Sequence, residues 1–195
     1  MAALMRAADH GHVGTVDALL ERGADANKQT TSGRLSGGTA LMWAADKGHV
    51  GTVEVLLGRG ADANMQSTYG GTALMIAASN GRKEVVHVLM REMLLLHDGA
   101  DVDYAVDGSC GQKYAGMTAI HSSENRVEVV DALLRHGADA KQDGVLTAVA
   151  CFGRGQIVDL LLQHGAGAGK RREDGNTAMR FACQLEHVQV VHALL

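Results

Sequence analysis

The chain repeats itself along its length, and this internal period restricts its fold more than any other feature. The stretch from Thr39 to Asn64 reads TALMWAADKGHVGTVEVLLGRGADAN, and a matching stretch begins at Thr72 with TALMIAA. The equivalent leucines of the two stretches, Leu41 and Leu74, are 33 residues apart. A period of this length indicates a stack of similar supersecondary units, because each unit can bury its apolar face only against its neighbours.

Within one unit, each recurring residue type has a physical reason for its position. Thr39 precedes a helical stretch, where its hydroxyl can accept a hydrogen bond from a backbone N–H of the first turn. Gly48 suits a turn between two helices that needs a positive φ. Leu56 and Leu57 belong to the apolar stripe of the second helix, and Gly60 is placed to end that helix. Each unit is therefore predicted to be two helices joined by a turn, followed by a hairpin.

Six copies of this unit can be traced along the sequence. The predicted fold class is all-α, a solenoid of stacked helix-turn-helix units joined by hairpin loops, in a single domain that spans residues 1–195. The predicted repeats cover approximately residues 1–27, 38–64, 71–103, 116–140, 143–169 and 174–195.

The recurring residues resemble the signature of the ankyrin-repeat family, which reads T-P-L-H-x-A-A, then G-H, L-L and G-A-D-x-N. Trp43 falls at a position that is buried in this family, so we expect it in the core. The resemblance extends over nearly the whole chain, and it implies a concave surface, lined by hairpin tips and first-helix ends, that binds another protein. The usual proline is replaced in the five repeats that contain its position, by Ala40, Ala73, Ala119, Val145 and Ala178.

The spacing of the repeats is irregular at three places. The separation is 37 residues from Leu4 to Leu41, 46 from Leu74 to Ile120 and only 26 from Ile120 to Leu146. The first excess predicts a longer hairpin, and the second predicts a longer second helix in the third repeat and a longer hairpin after it. The deletion shortens the fourth repeat, so we expect the poorest packing, and a weak joint, between the fourth and fifth repeats.

The composition predicts a soluble protein in a reducing compartment. Hydrophobic residues make up 46% of the chain, and the formal charge is only −4, which argues against disorder and against nucleic acid as a partner. No apolar run is suited to a signal peptide or to membrane insertion. Cys110, Cys151 and Cys183 form no CxxC pair, and the last two occupy small, partly buried positions of the repeat. We predict a cytoplasmic protein, with the nucleus as the alternative.

The motifs that could carry chemistry are each incomplete. The acidic stretch 101–108 lacks the glutamate of a calcium loop, since Gln112 stands at the twelfth position. Residues 165–170 fail as a phosphate loop because Arg171 stands where Ser or Thr is required. The histidines follow the repeat, as His49 does at the turn position, and show no zinc spacing. We predict no cofactor, no metal site and no catalytic residue.

Positions that vary while their neighbours recur are the candidate partner contacts. They are the two residues that follow the paired small residues of each first helix, together with the hairpin tips. Tyr69, Tyr114 and Phe152 are expected to anchor the partner, since aromatic side chains are enriched among the residues that dominate interface energetics. The alternative is that they only cover their own hairpins or neighbours. The predicted contacts are Asp9, His10, Leu35, Ser36, Asp46, Lys47, Thr68, Tyr69, Ser79, Asn80, Tyr114, Met117, Cys151, Phe152, Gln184 and Leu185.

The predicted function is therefore a protein-protein interaction module, acting as a scaffold, adaptor or inhibitor, and not an enzyme. The alternative is an ankyrin regulatory fragment of a larger enzyme, channel or signalling protein. Both ends stop inside a repeat without a polar capping helix, which raises self-association through an end as a further alternative. Asn27 and Asn64 resemble the loop asparagines that are hydroxylated in some family members.

Overall fold

Helices occur in pairs along the chain. The computed structural model describes residues 3–31, 35–96, 119–123, 126–142, 144–170 and 177–195, and within these ranges the chain forms twelve α-helices and no β-strand. None of the described helices combines the length and apolarity needed to cross a bilayer. The helices are α1 (Ala3–Asp9), α2 (Val13–Glu21), α3 (Ala40–Lys47), α4 (Val50–Gly58), α5 (Ala73–Ser79), α6 (Lys83–Leu96), α7 (Ala119–Ser122), α8 (Val127–Arg135), α9 (Val145–Cys151), α10 (Gly155–Gln163), α11 (Ala178–Gln184) and α12 (Val188–Leu194).

The twelve helices form two layers. Each odd-numbered helix packs against the odd-numbered helices before and after it, and the even-numbered helices follow the same order. Each odd-numbered helix also packs against the even-numbered helix that follows it. The predicted all-α solenoid is therefore confirmed.

One continuous core runs between the two layers from the first helix pair to the last. Its members extend from Leu4 on α1 to Val190 on α12. Ala44 and Ala45 are completely buried, as is Leu56 of the following helix. The small alanines let the first helices approach closely, while the leucines of the second helices bury large apolar side chains between the layers.

Threonine caps begin several of the first helices. The hydroxyls of Thr39, Thr72 and Thr177 each accept a hydrogen bond from the backbone N–H three residues further on, at 3.2–3.4 Å. The fifth repeat differs, because Gly144 precedes α9 and provides no side-chain cap.

Glycines end the helices where the sequence predicted them. Gly48 follows α3 with φ of 83°, a left-handed conformation that costs a residue with a Cβ about 1–2 kcal/mol. Gly60 follows α4 with φ of 85°, and the next N–H, of Ala61, donates to the carbonyl of Leu56 at 2.9 Å. This bond is the one that closes a helix through a left-handed glycine.

The third and fourth repeats depart from the regular pattern. Helix α6 has 14 residues, whereas the other second helices have 7 to 9, so the predicted prolongation of this helix to Leu96 is confirmed. The remainder of the insertion, residues 97–118, lies outside the described residues. Helix α7 has only four residues, and it packs less extensively against α9 than the other first helices pack against their neighbours.

Candidate functional site

The two variable positions at the end of each first helix have different environments. The second position is exposed in every repeat where it is described, and its residues are His10, Lys47, Asn80, Phe152 and Leu185. The first position is buried or half-buried in four of these five repeats, at Asp9, Asp46, Ser79 and Cys151, and it is exposed only at Gln184. The second positions are therefore the ones that a partner can reach directly.

The residue at the first position is covered by contacts with the following repeat. At four junctions between repeats, the turn residue of the following repeat contacts the backbone carbonyl of the residue at the first position. We call this series of contacts the turn ladder. His49 Nε2 lies 3.1 Å from the carbonyl oxygen of Asp9, and Arg82 Nε donates to that of Asp46 at 3.1 Å. Arg126 donates to the carbonyl of Ser79, and His187 Nε2 lies 2.9 Å from the carbonyl oxygen of Cys151.

Sequence reasoning noted the turn histidines but did not see this role. The signal was present, because a basic residue stands at the turn position of every repeat. The series is His12, His49, Arg82, Arg126, Arg154 and His187.

The turn ladder is broken between the fourth and fifth repeats. Arg154 occupies the turn position, yet its buried Nε has no hydrogen-bond partner within the part of the chain that the structure describes. The first helix before it, α7, is shorter than the other first helices and lacks the final turn that supplies the accepting carbonyl elsewhere. The two-residue deletion of the fourth repeat is the physical reason.

Asp46 is a correction to the predicted contacts. Its side chain is buried, at 7% exposure, and so does not face a partner. One carboxylate oxygen lies 3.6 Å from Lys47 Nζ, and the other accepts a hydrogen bond from Asn80 Nδ2 at 3.4 Å. Asp46 therefore positions the two exposed residues beside it.

The second positions of the last two repeats are apolar. Phe152 is 70% exposed and Leu185 is 46% exposed. They are 33 residues apart and occupy equivalent ends of α9 and α11, which pack side by side. The adjacent scaffold residues Ala150 and Ala182 are completely buried. The fold thus uses the alanines for packing and leaves the two large side chains in solvent.

The hairpin tips before α3 and α5 are joined to each other. Thr68 N donates to the carbonyl of Ser36 at 3.0 Å. Gln29 Nε2, which sequence reasoning missed, donates to the carbonyls of Gly37 and Gln66 at 2.7 and 2.6 Å. Such bonds between loops are set by tertiary distance, so no local motif signals them.

The predicted tip residues divide between structural and exposed positions. Leu35 and Ser36 are half-buried, and Leu35 packs against the core. Thr68 and Tyr69 are exposed, with Tyr69 at 56%. The predicted contacts Tyr114 and Met117 lie outside the described residues. We use the term variable surface for the exposed residues His10, Lys47, Thr68, Tyr69, Asn80, Phe152, Gln184 and Leu185.

Residues that suggested other chemistry are placed as follows. Trp43 is buried in the core, as predicted. Cys183 is exposed, which corrects its predicted partial burial, because α11 is the last helix of its layer; Cys151 is half-buried. Lys170, at the end of the glycine-rich stretch, donates to the carbonyl of Lys141 at 2.9 Å and so holds a neighbouring hairpin. Within the described ranges, no three His, Cys, Asp or Glu side chains are grouped to hold a metal.

Comparison with known proteins identifies the repeat. A family model described as ankyrin repeats, in three copies, matches residues 4–105, 41–143 and 117–195. The chain belongs to the ankyrin-repeat family. No curated protein matches this ankyrin-repeat chain at a significant level.

Solved structures with the same fold include two that match the ankyrin-repeat chain almost end to end. One is a chain from the structure of the Bd0816 predatory endopeptidase from Bdellovibrio bacteriovorus in complex with immunity protein Bd3460, with 26% identity and a TM-score of 0.77. The match covers 100% of this chain and 97% of that chain. The other is EF0377, an ankyrin repeat protein, with 23% identity, a TM-score of 0.75 and coverage of 98% and 96%; this likeness concerns the fold alone.

Proposed function

We propose that this ankyrin stack is a protein-protein interaction module that binds its partner on the variable surface. The observation that carries the proposal is the exposure of Phe152 beside Leu185 at equivalent positions of adjacent repeats. Large apolar side chains that are grouped and exposed, with buried scaffold residues around them, are typical of interaction sites. Membership in a repeat family whose stacked units form extended binding surfaces supports the same function.

The polar half of the variable surface supports recognition of a specific partner. Asp46 holds Lys47 and Asn80, and His10 Nδ1 lies 2.8 Å from the carbonyl oxygen of Arg6. Side chains that are already held in place lose less conformational entropy when a partner binds. A partner that covers both halves would gain its affinity mainly from Phe152 and Tyr69 and its specificity from the polar groups.

Inhibition of an enzyme is a second, more specific role. One of the similar chains comes from a complex of an endopeptidase with an immunity protein, and the match spans nearly all of both chains. We infer from this likeness that a hydrolase held inactive by the stack is a candidate partner. The purified protein added to peptidase assays of source-cell extract would then lower one activity, and a Phe152→Asp variant would not.

Affinity capture from source cells tests the binding proposal. The bait is the full chain, and Phe152→Ala and Tyr69→Ala are compared with Leu195→Ala, which also truncates an exposed apolar side chain but lies outside the variable surface. We expect at least one protein to be captured by wild type and by the control, and to bind Phe152→Ala about tenfold or more weakly. If Phe152→Ala and Tyr69→Ala both retain every partner at full affinity, the variable surface is not the binding site.

A further inference from the structure

Two histidine side chains face each other where the third repeat packs on the fourth. His87 lies on α6, and His136 follows the last residue of α8. His87 Nδ1 and His136 Nε2 are 3.3 Å apart, the ring centroids are 5.5 Å apart, and the ring planes cross at 63°. Both rings are half-buried, so the pair is neither a core contact nor freely solvated.

The equivalent position of the first two repeats holds an ion pair. There Asp17, at the position of His87, lies 2.6 Å from Arg59, at the position of His136. At the third and fourth repeats both members of the pair are histidines. Two histidines cannot form an ion pair, since protonated rings repel each other and neutral rings can share only one proton.

The separation of the two nitrogens suits a bound metal ion. Zinc–nitrogen bonds of about 2.0–2.1 Å at a tetrahedral angle place two imidazole nitrogens about 3.3–3.4 Å apart. Both rings must turn their lone pairs toward the ion, and the terminal torsion of histidine is soft enough to allow such a rotation. The required movement is thus confined to side chains.

The charges around the pair are mixed. Lys83 and Arg135 are the cations near His87, and Glu84 is the nearby carboxylate. Arg135 is itself paired with Asp131 at 3.0 Å, which offsets its charge. Burial is the main cause that lowers the pKa of His87, followed by the charge of His136.

We propose that His87 and His136 form a two-histidine site for a borderline divalent metal ion, of which zinc is the type, with copper and nickel as chemical equivalents. Neutral imidazole prefers these ions to calcium or magnesium. No third His, Cys, Asp or Glu completes the ligand set within the described residues, so water or a partner's side chain takes the open positions. A bound ion would link α6 to α8 and hold the fourth repeat against the third.

Thermal unfolding in metal-free buffer tests the site. We expect zinc to raise the Tm of the wild-type chain by at least about 2 °C, a chelator to reverse the rise, and magnesium and calcium to have no effect. His87→Gln and His136→Gln should each abolish the rise. His164→Gln is the matched control, because His164 also follows the last residue of a second helix but makes no ring contact with another histidine in the described structure. The His164→Gln variant should retain the full zinc-induced rise in Tm.

A double variant separates loss of zinc binding from loss of folding. His87→Asp combined with His136→Arg transfers the Asp17–Arg59 ion pair to this position and should remain folded while losing the zinc effect. Copper(II) bound to the wild-type chain should show coupling to two imidazole nitrogens in its electron paramagnetic resonance spectrum. Each single glutamine variant should lose this two-nitrogen coupling. An unchanged wild-type Tm, or a zinc effect that persists in the double variant, would overturn the proposal.

Discussion

Glycine is used at the turn between helices because the backbone there excludes a side chain for two reasons. Gly48 has φ of 83°, and a Cβ added to it would lie 2.8 Å from Cδ of Arg82. Gly58, ten residues later, is helical, and an added Cβ would meet nothing within 4 Å. The two glycines of the same repeat therefore respond oppositely to alanine.

We predict that Gly48→Ala lowers the free energy of unfolding by about 1–2 kcal/mol, the cost of a left-handed residue with a Cβ. Gly58→Ala should be neutral or raise it by up to about 1 kcal/mol, because alanine restricts the unfolded chain without strain in the helix. Urea denaturation of both variants measures the difference. Equal effects of the two substitutions would show that the turn tolerates a side chain.

Leucines of the second helices are buried in the core. Leu56 is completely buried, so Leu56→Ala should cost about 2–5 kcal/mol of unfolding free energy through lost burial and the cavity left behind. Leu195→Ala removes the same atoms from a side chain that is 90% exposed, and should change stability by less than about 0.5 kcal/mol. Equilibrium unfolding of the two variants at one temperature compares their free energies of unfolding. Similar losses would contradict the placement of Leu56 in the core.

At the scale of elements, the turn ladder joins each first helix to the turn that follows it in the next repeat. Arg82→Met should lower the free energy of unfolding by about 1–3 kcal/mol, since it removes a charged donor from the carbonyl of Asp46. Arg154→Met is the matched change where the ladder is broken, and should cost less than about 0.5 kcal/mol or be stabilising. If the two arginines prove equally important, Arg154 has a partner that the ladder does not explain.

The contact between α6 and α8 should weaken on acidification when a chelator keeps metal away. Burial, followed by His136 and the nearby cations, lowers the pKa of His87 below its usual 6.5. The unfolded chain retains the usual value and therefore takes up the proton first as the pH falls. The contribution of His87 to the free energy of unfolding is thus constant above pH 6.5, the usual histidine pKa, and is lost as the pH falls below it.

Unfolding free energy measured from pH 8 to pH 5, about the range in which histidine titrates, checks this dependence. His87→Gln should flatten the acid side of the profile, whereas His164→Gln, which removes a histidine from an equivalent helix end, should leave it steep. A profile that is unchanged by His87→Gln would show that other groups cause the acid sensitivity.

For the whole molecule, the arrangement of the joint predicts how the stack opens. Between the fourth and fifth repeats the turn ladder is broken, α7 is short and packs sparsely on α9, and α9 lacks a threonine cap. In a solenoid, stability is the sum of repeat and interface terms, so the weakest interface determines where the stack separates. We predict that α9 to α12 open as a unit apart from α1 to α6.

Native-state hydrogen exchange followed by mass spectrometry measures the opening free energy of each part of the stack. Peptides from α9 to α12 should share one opening free energy that lies below that of peptides from α3 to α6. Arg154→Met should leave the division in place, because the buried Nε of Arg154 has no hydrogen-bond partner among the described residues. Uniform protection across residues 118–160 would exclude a weak joint.

The sequence by itself determined the unit and its stacking. The 33-residue period, the threonine caps, the glycines of positive φ and the leucine stripe each depend on local backbone preference or helical periodicity, which a single repeat already contains. The variable positions at the ends of the first helices could be located for the same reason, but not which of the two positions is exposed. The length of α6 was also readable, because its extra residues continue a helical apolar pattern.

Only the tertiary structure decided how neighbouring repeats share their polar groups. The burial of Asp46, the reach of Arg82 to a carbonyl 36 residues away and the facing of His87 and His136 depend on which side chains lie opposite each other. Distances between repeats follow from the packing of whole helices, and no local rule encodes them. The same holds for Arg154, whose buried Nε finds no hydrogen-bond partner in the described part of the chain because the repeat before it carries a deletion.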